Sequence, residues 1–170
     1  DIISNKPRHQ ILSEQGWRPI GEYHIVNVGL WTPGKNQKYL IDIAKILWEK
    51  YRWTYIFHLV GNQAQNFEDY WKPLMENLPP NIRIHGEKNE KDVSEYYKMA
   101  DLMLFTSTWE CNPIVLKEAI SNNIKIMAFK LDHYKGIYDN YINYLDGKAL
   151  ADKEKLVDVI HSPIKYKTTI

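Results

Sequence analysis

Cysteine is almost absent from this chain of 170 residues, with Cys111 the only one. A disulfide within the chain is therefore impossible, and a cysteine-rich metal site is excluded. Long hydrophobic runs are missing too. None approaches the ~18–20 residues of a membrane span, although apolar residues make up 44% of the chain and can form a core. Neither sign of charge dominates: Lys+Arg number 22 against Asp+Glu 21, a net charge of +1. No bulk field holds a nucleic acid, and no nucleic-acid partner is expected. Arginine is scarce, limited to Arg8, Arg18, Arg52 and Arg83. There is no repeat and no low-complexity tract. The chain opens on Asp1, not Met, and no signal peptide is recognisable, so we expect a piece cut from a longer protein. Its length suits one domain of ~100–200 residues.

What is present is alternation. Residues 1–22 are polar and punctuated by Pro7, Gly16, Pro19 and Gly21; they read as a lead-in with at most one short helix, before a domain over 23–170. Residues 24–30 (HIVNVGL) form a strand candidate. Residues 35–50 form a helix candidate, because Leu40, Ile43, Ala44 and Leu47 recur at i, i+3, i+4 and i+7. Strand candidates follow at 54–60, 82–85, 102–105 and 124–129. Helix candidates lie between them at 65–78, 91–100 and 113–122. A further helical stretch is expected near 134–145, and a terminal helix at 151–161. Five strands alternating with helices predict an α/β Rossmann-like fold: an open parallel sheet with helices on both faces. Right-handed crossovers give the strand order 3-2-1-4-5. Strands 1 and 4 are then neighbours, and their following loops open a crevice at the carboxyl edge, where ligands bind. Topology alone nominates residues 30–36 and 106–112.

The first loop runs Gly29-Leu30-Trp31-Thr32-Pro33-Gly34-Lys35-Asn36. Gly29 and Gly34 allow close backbone approach. Lys35 falls at a helix start, where free amides favour an anion, so it is either a phosphate ligand or a solvated lysine on a turn. The second loop runs Thr106-Ser107-Thr108-Trp109-Glu110-Cys111-Asn112 into Pro113. Asn112 suits an N-cap and Pro113 the first helical position. Glu118 lies about 7–8 Å along that helix from Pro113. Two carboxylates so placed suit the hydroxyls of an extended sugar ligand, or they are a surface residue and a helix salt-bridge partner.

The stretch from Thr106 to Ala119 resembles the E-x7-E signature of retaining family 4 glycosyltransferases, through Glu110 and Glu118. The resemblance extends in order over residues 24–160: strand, glycine and later lysine in 24–35; Leu59-Val60-Gly61-Asn62; residues 82–86; and the helix ending Ala100-Asp101. It implies one half of a GT-B fold, the C-terminal half that binds a nucleotide-diphosphate sugar, with retaining transfer to an acceptor held by an N-terminal domain or partner chain. By the same resemblance Lys35 would contact the donor diphosphate and Glu110 the donor sugar; these are the two catalytic candidates. Glu118 would bind the ribose, Gly86 and Glu87 would lie near the base, and Ser107 and Ile114 would line the pocket. Gly29, Leu30, Gly34, Cys111, Asn112 and Pro113 complete the donor-binding set. Transfer would proceed on the front face with no protein nucleophile. No cofactor and no metal are implied beyond the donor itself. A cytoplasmic location is expected, with membrane association left open for a lipid-linked acceptor.

Two positions depart from the pattern. Leu30 stands where the family has Arg, a contact worth about 1.5–3 kcal/mol as a charge-assisted bond; Lys38, one turn after Lys35, is a candidate to compensate. Cys111-Asn112-Pro113 replaces a frequent Gly-Phe-Gly. Two rival readings follow. A non-catalytic sugar-nucleotide-binding module would explain Leu30. A P-loop NTPase would explain Gly29-x4-Gly34-Lys35, but Asn36 stands where Ser or Thr should hold Mg²⁺. Trp48, Trp53 and Trp71 read as core and helix-face packing. The histidines are scattered with no ligand spacing, and His58 and His85 at strand ends read as hydrogen-bonded core residues.

Overall fold

The computed structural model describes residues 3–110, 114–163 and 166. Six parallel strands form one sheet in the order β3-β2-β1-β4-β5-β6. The strands are β1 (Tyr23–Val28), β2 (Tyr55–Val60), β3 (Ile82–Gly86), β4 (Leu102–Phe105), β5 (Ile126–Ala128) and β6 (Ile142–Tyr144). The helices are α1 (Arg8–Glu14), α2 (Gln37–Tyr51), α3 (Glu68–Met75), α4 (Glu90–Met99), α5 (Ile114–Ser121) and α6 (Ala149–His161). The expected order of the first five strands holds, and β6 extends it.

β2 is buried along its whole length, as a central strand covered on both faces must be. Alternation along β1 divides the core. Ile25 packs with Leu40 and Leu47 of α2 and Leu156 of α6 on one face. Val26 packs with Ile11 and Leu12 of α1, Tyr97 of α4 and Leu116 of α5 on the other. The lead-in is thus part of the core: Ile11 and Leu12 are fully buried, and Arg8 reaches Asp101 at 3.3 Å.

Two expected helices are corrected. Residues 134–145 form turns and then β6, because the apolar spacing there serves local bonds, Tyr138 N to Tyr134 O at 2.8 Å and Ile142 N to Tyr138 O at 3.2 Å, before three residues pair with β5. The helix expected over 65–78 begins as a 3₁₀ turn at Gln65–Phe67, and its α-helical part ends at Met75.

Three histidines scattered in sequence become neighbours across β1, β2 and β3. His24 Nδ1 lies 2.9 Å from His58 Nε2, His58 Nδ1 lies 2.8 Å from His85 Nε2, and His85 Nδ1 lies 2.9 Å from the Tyr96 hydroxyl. Burial, with nearby positive charge, pushes His24 and His85 down to about 4 and His58 well below its usual value. A proton added to His58 would also oppose a neighbouring N–H. These rings stay neutral when folded but charge when unfolded, near pH 6.5. Their contribution to stability is complete above that value and is lost as pH falls toward 4. Half-buried Asp101, whose carboxyl is raised by desolvation, works in the opposite direction. Urea unfolding should show stability falling from about pH 6.5 toward 4, with a shallower slope in His85→Gln. A flat wild-type profile over that window would contradict the neutral chain.

The strand ends fit by close backbone contact. A Cβ on Gly61 would stand 1.8 Å from the Gly29 carbonyl oxygen. Gly29 N bonds Val60 O at 2.9 Å, and Gly61 N bonds Gly86 O at 2.8 Å. Gly61→Ala should therefore lower unfolding stability by about 1–3 kcal/mol or more. Gly34→Ala, whose Cβ would meet only Thr32 Oγ1 at 3.8 Å, is the control. Equal denaturation midpoints for the two variants would refute the contact.

Candidate functional site

The loops after β1 and β4 meet at the carboxyl edge and are stitched by backbone. Thr108 N donates to Gly34 O at 2.9 Å, and the Thr106 hydroxyl donates to Asn36 O at 2.8 Å. Beneath them, Asn27 Nδ2 donates to Leu104 O at 2.8 Å. This stitching brings Lys35 Nζ within 2.6 Å of Glu110 Oε2, across 75 residues of sequence. The lysine stem lies against Gly29, where an added Cβ would be 3.6 Å from Lys35 Cδ.

The start of the first loop differs from expectation. Pro33–Lys35 is a 3₁₀ turn capped by Thr32, whose Oγ1 accepts from Lys35 N at 3.2 Å, and α2 begins two residues later at Gln37. The Lys35 amide is therefore satisfied within the turn, and an anion there would meet the lysine side chain. Asn36 is left-handed, with φ of 53°. Lys38 does not turn toward this loop's partner: it pairs with Asp42 at 3.3 Å on the exposed face of α2. Cys111, Asn112 and Pro113 lie outside the described residues, and with them the expected N-cap. Ile114 opens α5 as described.

Three cavities adjoin at the sheet edge, and Val28, the last residue of β1, walls all of them. One of about 220 Å³ holds Lys35, Glu110, Ser107, Ile114 and Tyr134. A second of about 430 Å³ holds Glu118, Tyr97 and Lys88, and shares Val115 with the first. A third of about 310 Å³ is bounded by Gly29, Leu30, Gly61, Glu87 and Lys88. Gly86, with φ of +71°, turns the chain behind it. The structure thus joins Lys35 and Glu110 directly and sets Glu118 one cavity along. Glu118 accepts a hydrogen bond from the buried Tyr97 hydroxyl at 2.6 Å. Burial, reinforced by Glu118, pushes the Tyr97 phenol far up, so it remains a donor.

Leu30 is 39% exposed at the rim. None of the four arginines replaces the missing guanidinium. Arg8 holds Asp101 and Arg18 holds Glu22; Arg52 lies over Trp48, and Arg83 lies over Trp17 and Trp53. Sequence reasoning missed Tyr97 and Lys88 as site residues: Tyr97 reads as the buried face of α4, and Lys88 carries no motif. Tyr134 stands in His133-Tyr134-Lys135-Gly136, which the sequence offers only as a candidate border of the sugar. Among the described residues, no three His, Cys, Asp or Glu side chains are grouped to hold a metal ion. No helix there is long and apolar enough to cross a membrane.

The family model described as "Glycosyl transferases group 1" matches residues 11–165. The chain belongs to the group 1 glycosyltransferase family. Among curated members, it is 35% identical over 100 residues to the alpha-galactosylglucosyldiacylglycerol synthase of Streptococcus pneumoniae (strain ATCC BAA-255 / R6), covering 59% of this chain and 25% of that protein. It is 32% identical over 116 residues to the capsular polysaccharide biosynthesis glycosyltransferase CapH of Staphylococcus aureus, covering 61% and 31%. The chain therefore spans about a quarter to a third of the curated glycosyltransferases it matches. Two solved structures share the fold. The C-terminal domain of the group 1 family protein LpcC from Francisella tularensis superposes with a TM-score of 0.76 at 17% identity, covering 94% of this chain and 85% of that one. Anabaena HepE, solved with UDP and glucose, superposes with a TM-score of 0.77 at 19% identity, covering 99% and 47%. The sheet and its flanking helices are thus the Rossmann-like arrangement of GT-B glycosyltransferases.

Removing the Tyr97 hydroxyl leaves Glu118 one donor short. Tyr97→Phe should cost about 0.5–1.5 kcal/mol in denaturant unfolding. No measurable loss, together with an unchanged denaturation slope, would show that the bond does not form in solution.

Proposed function

We propose that this chain is the donor-binding, C-terminal half of a retaining glycosyltransferase, acting on a nucleotide-diphosphate sugar. The observation that carries the reading is the Lys35–Glu110 contact at 2.6 Å beside the cavity that contains Glu118. A nucleotide sugar sets base, ribose, diphosphate and hexose in line, and three adjoining cavities offer chemistry for these four parts. The third, with Glu87, takes the base. Glu118, steadied by Tyr97, accepts from ribose hydroxyls. Lys35 meets the diphosphate, and Glu110 with Ser107 and Tyr134 meets the hexose.

When the sugar–oxygen bond breaks, negative charge grows on the departing diphosphate. Lys35, partly withdrawn from water, stabilises that charge more than a solvated lysine would. The acceptor hydroxyl attacks from the same face and gives its proton to the departing phosphate oxygen, so no side chain acts as nucleophile. The reading invokes no metal. The acceptor is held by the half of the enzyme that this chain does not supply. The names of its two curated relatives point to a glycolipid or capsular glycan as the acceptor class. HepE, whose structure holds UDP and glucose, makes UDP-glucose the first donor to try.

The experiment is a thermal-shift panel of UDP-, GDP- and ADP-sugars. A ligand present at 100 times its Kd stabilises the fold by about 2.7 kcal/mol. One base should stand out. Lys35→Ala and Glu118→Ala should each weaken it about 10-fold or more. No shift by any of them at millimolar concentration would overturn the reading.

Leu30 favours a second reading, a module that binds the sugar nucleotide without transfer. If the missing cation is the only defect, Leu30→Arg in the complete protein should raise transfer by roughly 10–150-fold. Robust transfer by the wild type would dismiss this alternative.

A further inference from the structure

The ammonium proposed to meet the diphosphate and the carboxylate proposed to meet the hexose are paired with each other. Lys35 Nζ and Glu110 Oε2 are 2.6 Å apart, with side chains only 32% and 16% exposed. Glu110 also lies close enough to the buried Tyr134 for its charge to oppose ionisation of that phenol. Any diphosphate that takes Lys35 must therefore take it from Glu110. That leaves a half-buried carboxylate beside two phosphates, which is unfavourable unless a hydrogen-bond donor arrives with the ligand. A sugar still attached to the diphosphate brings hydroxyl donors to that end. A free nucleoside diphosphate brings none, and its terminal phosphate carries additional negative charge.

We propose that Glu110 discriminates the intact sugar nucleotide from the spent nucleoside diphosphate: the Lys35–Glu110 pair is a latch that the sugar hydroxyls help to open and that closes again to expel the product. This deepens the donor-site reading and rests on it. The latch gives Glu110 two duties, accepting from the sugar while the donor is bound and reclaiming Lys35 once the sugar has left. Glu110 is thus a specificity-determining residue, and its effect falls on the ratio of two affinities.

The test is calorimetric titration of the wild type, Glu110→Gln and Glu110→Ala with UDP, GDP and ADP and with UDP-glucose, GDP-mannose and ADP-glucose. Melting temperatures confirm that each variant is folded. For the base that binds, both variants should bind the free diphosphate about 5- to 20-fold more tightly than the wild type. Their affinity for the sugar nucleotide should be unchanged or weaker, so the wild-type preference for the sugar-bearing ligand shrinks or reverses. A merely structural role for Glu110 would move both affinities in the same direction by the same factor. That result, or no change in either, overturns the latch while leaving the donor site standing. If none of the six ligands binds any of the three proteins, the donor-site reading falls, and the latch falls with it.

Discussion

Backbone contact between Gly29 and Gly61 sets where the first two strands stop, and the cleft is built outward from there. With no side chain tolerated at Gly61, the β1 and β2 ends close on each other, and Gly61 in turn bonds Gly86 at the end of β3. The stem of Lys35 lies across the end of β1 at Gly29, where an added Cβ would stand in ordinary contact with it at 3.6 Å. The lysine then emerges on the β4 side, where the crossover leaves a gap. A wider joint at Gly29–Gly61 would move the whole turn at Thr32–Asn36, and the ammonium with it.

The β4 side answers with hydrogen bonds. Thr106 and Thr108 tie the second loop to the first through backbone oxygens, fixing Glu110 against Lys35. Electrostatics in the cleft are spare in consequence. The arginines are spent on Asp101, Glu22 and tryptophan rings elsewhere. Positive charge at the cavities comes from Lys35, from Lys88, which stands between the second and third, and from Lys98 in the second, whose ammonium already donates to the Ser4 and Lys6 carbonyls. A site with so little fixed positive charge depends on where Lys35 points, which is why its pairing with Glu110 bears on ligand choice.

Most of the fold was legible because its signals are local. The i, i+3, i+4, i+7 spacing marks α2, short apolar runs ending at glycine mark β1 to β3, and the run Leu102–Phe105 marks β4. The strand order followed from right-handed crossovers in a sheet covered by helices on both faces. What failed was local as well. Tyr134, Tyr138 and Ile142 do carry helical spacing, and their backbone does make i+4 bonds, yet the segment ends in a strand of three residues, too short for any alternation to show. The candidate site was legible in part. The two loops and Lys35, Glu110 and Glu118 came from topology and motif. The ion pair joining the first two did not, since no periodicity links residues 75 apart. Nor did the support of Tyr97 for Glu118, since a buried tyrosine on an amphipathic helix looks the same with or without a partner. His58 and His85 were readable as core residues, but the adjacency of His24, His58 and His85 was not, because it exists only once three strands are in register.

The central claim is that Lys35 holds a diphosphate in this cleft. A crystal structure of the chain with the nucleotide sugar it binds most tightly tests it directly. The account predicts phosphate oxygens about 2.7–3.2 Å from Lys35 Nζ, ribose hydroxyls on Glu118, and Glu110 released from the lysine and facing the sugar. A diphosphate seated away from Lys35, with the Lys35–Glu110 pair intact, would contradict it.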